Sequence, residues 1–180
     1  MGRTYVSDGV VLASRDYSEA DKILVVLSKD FGRVSLIAKG VKKLKSRKRG
    51  HVEIFNHIKF QAARGKSLDI ITEAEIINAF SRVRKNLVKT SVAYYFAEVI
   101  GRTTRDHERN EVLYGHLLDS LTKLQKSENL KELRRDFAVR ALEILGFWPK
   151  NKKIADPDRF IEEILERELA SIRVGKRLQG

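Results

Sequence analysis

The chain contains no cysteine. Disulfides, thiolate zinc sites, iron–sulfur clusters held by its own thiolates and a cysteine nucleophile are all excluded. The usual marker of a small secreted scaffold is missing with them, which favours a cytoplasmic home. Long apolar runs are missing too. The longest, Val92 to Ala97, includes two tyrosines and falls far short of the roughly 20 residues needed to span a bilayer. The first residues reach Asp8 before any sustained apolar stretch, so no signal peptide is expected. Val6 stands where a myristoylation motif wants Ser or Thr. No repeat period and no low-complexity tract interrupts the sequence.

Negative charge is also in short supply. The 180 residues carry 36 Lys and Arg against 24 Asp and Glu, a net charge of +12. That balance suits a polyanionic partner, either nucleic acid or an acidic membrane surface. With 42% hydrophobic and 33% charged residues, the chain reads as globular, and it is long enough to bury its own core.

The first 80 residues read as strands. Residues 5–14 are rich in Val, and Ile23 to Leu27 is a continuous apolar run of the kind covered on both faces. Lys29-Asp30-Phe31-Gly32 makes a turn. Val34, Leu36 and Ala38 then alternate with Arg33, Ser35 and Lys39. Val52, Ile54, Ile58 and Phe60 are expected on one face of a later strand, with His51, Phe55, His57 and Lys59 on the other. Arg64-Gly65-Lys66-Ser67 is a hairpin turn, after which Leu68, Ile70, Thr72 and Ala74 alternate. Five short strands with turns between them indicate a small barrel or sandwich.

The remainder, 81–180, reads as an all-α domain, with no Pro/Gly/Ser linker at the boundary. A first helix is expected near 77–88, and a second capped by Thr90 and running to about 104. Leu113, Leu117, Leu121 and Leu124 recur at helical spacing. Asn129 with Glu132 resembles a capping box, opening a helix through Leu133, Phe137, Ala141 and Leu145. Gly146 sits where a left-handed C-cap belongs, with Pro149 beyond it. Asp156-Pro157 reads as an N-cap followed by proline at the first helical position. Phe160, Ile161, Ile164 and Leu165 would stripe that last helix.

The strongest chemical signal is basic. No acidic residue lies between Asp30 and Glu53, a stretch holding Arg33, Lys39, Lys42, Lys43, Lys45, Arg47, Lys48 and Arg49. Most of these lie between Gly40 and Gly50. Such a loop can wrap phosphates and release condensed counterions. A solvated flexible loop is the plainer reading, but solvated faces normally mix charges of both signs. Tyr17, Phe31, His51 and Phe55 are candidates to stack on bases, although Phe31 could equally plug a turn and Phe55 face other protein.

Enzyme motifs fail one by one. Gly65-Lys66-Ser67 matches the end of a P-loop, but Phe60 replaces its first glycine and a strand follows. Ser120 and Lys123 match Ser-x-x-Lys without its companion motifs. His107 and His116 fall on opposite sides of a helix, and His51 and His57 are too far apart to chelate a metal unaided. Asp158, Glu162 and Glu166 form a helical row of the kind that usually faces water. Trp148 is expected to close the helix end at Gly146 rather than to stack on a ligand. No catalytic residue, metal site or cofactor is expected.

Several stretches, in both halves of the chain, carry a family likeness. Tyr17-Ser18-Glu19-Ala20-Asp21-Lys22-Ile23-Leu24, Ser28-Lys29-Asp30-Phe31-Gly32-Arg33, Ala38-Lys39-Gly40 and the basic loop resemble the N-terminal domain of RecO-type recombination mediators. Phe137 through Pro149 is similar to the helix closing that family's central helical part. The resemblance implies an α+β fold: a five-stranded OB-fold barrel over 1–80, then a helical domain over 81–180. It also implies a non-enzymatic protein that binds single- and double-stranded DNA, anneals complementary strands and assists RecA loading with RecR. Many members carry a four-cysteine zinc finger after the Leu-Gly-Tyr/Phe-x-Pro segment. Here Lys150-Asn151-Lys152-Lys153 follows Pro149 instead, so the zinc finger is expected to be absent. Read from charge alone, an OB-fold RNA-binding or ribosome-associated protein is the alternative.

The resemblance also implies a protein partner, the acidic, hydrophobic C-terminal tail of single-stranded-DNA-binding protein. A tail of that kind needs an apolar groove ending in a cation. Leu133, Phe137 and Ala141, with Arg134, Arg135 and Arg140, offer one candidate. The alternative is that the apolar row is core and that these arginines pair with Asp136, Glu143 and other acids.

Overall fold

The structure is a computed structural model that describes residues 4–43 and 50–165. Its first compact unit comprises Met1–Ala79 and Thr104–Glu111, and its second Phe80–Thr103 and Val112–Gly180. The units therefore do not divide at a single point near residue 80. Residues 104–111 belong with the barrel because they dock on its third strand. There the His107 amide donates to the Arg33 carbonyl at 2.9 Å, and Arg33 Nε meets Asp106 Oδ1 at 2.8 Å.

Five strands form the first unit: β1 (Thr4–Asp16), β2 (Lys22–Ser28), β3 (Gly32–Ala38), β4 (His57–Ala63) and β5 (Asp69–Asn78). They close in the order β1-β2-β3-β5-β4. β1 is long enough to serve two neighbours, pairing with β4 through Thr4–Val10 and with β2 through Gly9–Asp16. Among the described strands, β3 and β5 pair in parallel and the others antiparallel. This is the OB-fold arrangement of a five-stranded barrel. Strict alternation fills its centre: Val34, Leu36 and Ala38 of β3 point inward against Leu24, Val26, Ile58 and Phe60.

Two sequence expectations fail here, each for a tertiary reason. Residues 51–56 are not part of β4. Phe55 takes a φ of 73° and buries its ring, while its amide donates to Val11 O at 2.8 Å. Buried Asn56 then donates to the carbonyls of Gly50 and His51 at 3.0 and 2.9 Å, replacing ladder bonds. In β5 the inward residues are Ile71 and Ala74 rather than an evenly spaced set. The register against β4 shifts between Gln61 and Ala62, and this bulge puts an extra residue on the β5 side.

Gly32 opens β3 at a φ of 66°, and a Cβ there would strike the backbone of Glu108, with Glu108 C at 2.5 Å and its N at 2.8 Å. Gly32→Ala should therefore cost about 2 kcal/mol or more, since positive φ and a rigid backbone clash act together. Chemical denaturation checks this, and an unchanged midpoint would contradict the close approach of 104–111 to β3.

The described helices are α1 (Ser81–Arg84), α2 (Leu87–Thr103), α3 (Glu111–Lys126), α4 (Leu130–Ile144) and α5 (Pro157–Leu165), which belong to the second unit except for the first residue of α3. No single helix runs over 77–88. α1 is one turn long, and α2 starts afresh where Asn86 Oδ1 accepts the Lys89 amide at 3.0 Å. Asn86 rather than Thr90 is the cap; Thr90 Oγ1 instead donates back to the carbonyls of Val83 and Asn86.

The remaining end signals act as read. Asn129 Oδ1 accepts the Glu132 amide at 3.2 Å, and Asp156 Oδ1 accepts the Arg159 amide at 3.1 Å. After α4, Gly146 turns at φ 77°. The Phe147 amide reaches Leu142 O at 2.9 Å and the Gly146 amide reaches Glu143 O at 3.2 Å, the paired bonds of a Schellman ending. Trp148 lies edge-on to Phe160 at 5.1 Å and donates from Nε1 to Lys152 O. The buried centre of this unit gathers Tyr95, Phe96, Leu113, Leu117 and Phe137.

Candidate nucleic-acid interface

The basic residues begin at the end of β3. Of the eight, Arg33, Lys39, Lys42 and Lys43 lie among the described residues; Lys45, Arg47, Lys48 and Arg49 lie outside them. Arg33 is committed to Asp106. Lys39 and Lys43 are exposed and, among the described residues, make no salt bridge. Lys42 Nζ rests between Asp16 Oδ2 at 3.0 Å and the Ser18 carbonyl at 3.3 Å.

What holds these lysines is the turn between β1 and β2. The Tyr17 amide closes it on Asp21 O at 3.1 Å, and Ser18 Oγ accepts the Asp21 amide at 3.2 Å. Two bonds then cross to the root of the basic loop. The Gly40 amide donates to Asp21 Oδ1 at 2.8 Å, and the Lys42 amide donates to Ala20 O at 3.0 Å. Gly40 sits at a φ of 66°, so this turn is one that glycine adopts easily. The Gly40 bond holds the Asp21 carboxyl below the usual carboxylate range, with Ser18, Lys39 and Lys43 adding smaller contributions in the same direction. Asp21 thus stays ionised at neutral pH and fixes the start of the cationic segment. Sequence reasoning left Asp21 without a role of its own, although its place within Glu-x-Asp-Lys was the available signal.

The four candidate stacking groups separate clearly. Phe31 packs on Tyr5 with ring centroids 4.5 Å apart, Phe55 is buried, and His51 Nδ1 is bonded to Ala74 O at 2.6 Å. Tyr17 is 59% exposed. In the β4–β5 turn, Arg64 covers the Tyr5 ring at 4.6 Å and meets Asp69 Oδ2 at 3.3 Å, whereas Lys66 is exposed.

The α4 residues proposed for a peptide tail are occupied elsewhere. Phe137 is 1% exposed, stacked on Phe96 at 4.0 Å and on His116 at 4.9 Å. Arg134 lies 4.1 Å over the Tyr95 ring and pairs with Asp158 at 2.6 Å. Arg135 donates to the carbonyls of Ile154 and Ala155, and Arg140 pairs with Glu143 at 3.0 Å. Phe137 and Ala141 of the apolar row are core, Leu133 is half-buried and the three arginines already have partners, which speaks against the tail-site expectation. The reason is tertiary: α2 and α5 supply partners remote in sequence. Of the acidic row expected on the last helix, Asp158 belongs to this partly buried network, while Glu166 lies outside the described residues. Burial, and then the adjacent Asp158 charge, push the Tyr95 phenol up, so it stays protonated and donates to Asp158.

Comparison with known proteins decides the family. The model described as Recombination protein O N terminal matches residues 1–80, and that described as Recombination protein O C terminal matches residues 84–156. The chain belongs to the RecO family. It is 37% identical over 147 residues to the DNA repair protein RecO of Pelotomaculum thermopropionicum, covering 82% of this chain and 57% of that protein. It is 33% identical over 146 residues to the Symbiobacterium thermophilum protein of the same name, covering 81% and 58% respectively. A Roseiflexus relative is 30% identical over 148 residues, covering 82% of this chain and 52% of its own length. The chain therefore spans just over half the length of these RecO relatives. Both RecO matches agree with the barrel-then-helices architecture. Among the described residues, no helix is long and apolar enough to cross a membrane and no cluster of His, Asp and Glu could hold a metal.

Proposed function

We propose that this chain acts in recombinational DNA repair as a non-enzymatic DNA-binding protein of the cytoplasm. In this reading it binds single- and double-stranded DNA, anneals complementary strands and, with RecR, assists RecA loading. The observation that carries the reading is a cationic segment pinned to an OB barrel. Asp21 and Ala20 hold Gly40 and Lys42 in place, and Lys39, Lys43, Lys45, Arg47, Lys48 and Arg49 flank them in the sequence. OB barrels take oligonucleotides beside the β1–β2 turn, and that turn is the one tied to the segment here. Membership of a family whose relatives are named DNA repair proteins supports the same reading. A single-stranded-DNA-binding-protein tail remains a partner that the family likeness supports, at a surface other than the Phe137 row.

Binding isotherms on single-stranded DNA, duplex DNA and RNA of matched sequence test the proposal. Both DNA forms should bind with strong salt dependence. Tight binding of RNA with weak binding of both DNA forms would overturn it in favour of an RNA-binding protein.

A further inference from the structure

We infer that Tyr17 is a base-stacking residue that gives the surface around the β1–β2 turn and Lys42 a preference for unpaired over paired strands. The inference rests on the DNA-binding reading above and names the group that selects the form of DNA.

Three observations carry it. First, Tyr17 is an exposed aromatic residue on a turn the structure fixes by two bonds, its own amide donating to Asp21 O and the Asp21 amide donating to Ser18 Oγ. Second, the residue is more than half exposed and, among the described residues, its ring makes no aromatic or cation–π contact, whereas Phe31, Phe55 and His51 are all engaged. Third, the Lys42 ammonium lies against the residues on either side of it, Asp16 and Ser18. A phosphate drawn to Lys42 would therefore arrive at the turn that carries Tyr17. The exposed Lys42–Asp16 pair is weak and readily exchanged for such a phosphate. Fixing the turn also lowers the entropy lost on binding, because the ring's backbone is already in place.

The chemistry then separates the two forms of DNA. A base within a duplex has both faces covered by its neighbours, while an unpaired base can lay one face on a phenol ring. Stacking adds affinity without neutralising a phosphate, so it leaves the salt slope alone.

The test compares the full chain with Tyr17→Ala and Tyr17→Phe on a short oligothymidylate, on a duplex and on a strand of abasic sugars. Tyr17→Ala should bind the single strand about tenfold more weakly, bind the duplex as the parent does, and keep the parent's salt slope. Tyr17→Phe should retain the parent's affinity, and the abasic strand should bind parent and Tyr17→Ala alike. Equal loss on single strand and duplex, or no loss at all from a parent that binds, would overturn the inference and leave the DNA-binding proposal standing. A parent that binds no oligonucleotide would remove both.

Discussion

Replacing Lys42, Lys43, Arg47 and Lys48 together by alanine should weaken DNA binding by about a hundredfold near physiological salt. Each phosphate contact on a single strand contributes roughly 0.7 to the slope of log affinity against log salt. Four lost contacts should therefore flatten that slope by nearly 3. The loss should be the same for every sequence, because phosphate contacts carry no base information. Folding should be unaffected: the two described positions are at the surface, and Lys42 keeps its backbone bond to Ala20 whatever its side chain. Titrations across a range of salt read both quantities. An unchanged slope would move the phosphate contacts to another surface.

The largest stability effect is expected from Phe137→Ala, at about 3–5 kcal/mol. The ring is sealed between Phe96 and His116 and lies edge-on to Tyr95. Removing it empties the middle of the helical unit and removes the face on which the neutral His116 ring stacks. Burial already lowers the His116 pKa, so that the neutral form is favoured. Arg135→Ala should cost far less, since it loses only two bonds to carbonyls at the unit's surface. Denaturant midpoints compare the two variants directly. If Phe137 were instead an anchor for a peptide partner, Phe137→Ala would fold with an unchanged midpoint and lose only partner binding.

The parts of this fold that could be read in the sequence are those whose cause is local. Asn129, Gly146 and Asp156-Pro157 end or begin helices through bonds spanning a few residues, and each does so in the structure. The alternation in β3 was equally legible, because one face of that strand is buried along its whole length. What was not legible depends on distant residues. Phe55 and Tyr17 look alike as aromatics near a basic stretch, yet Phe55, its amide bonded to Val11 O, is buried and Tyr17 is exposed. Arg134 could have paired with Asp136 close by, yet Asp158 arrives from α5 and Tyr95 from α2. The even spacing of Leu68, Ile70, Thr72 and Ala74 concealed a bulge. In the candidate interface the cations were evident from charge alone. The acid that pins them was not, since Asp21 lies 19 residues from Gly40 and on the other side of two strands.

The most direct measurement is the rate at which the purified chain anneals two complementary single strands. Acceleration over the spontaneous rate is expected, suppressed by salt and largely abolished by the four-alanine variant. An annealing rate equal to the spontaneous one, at protein concentrations that saturate single-stranded DNA, would contradict it.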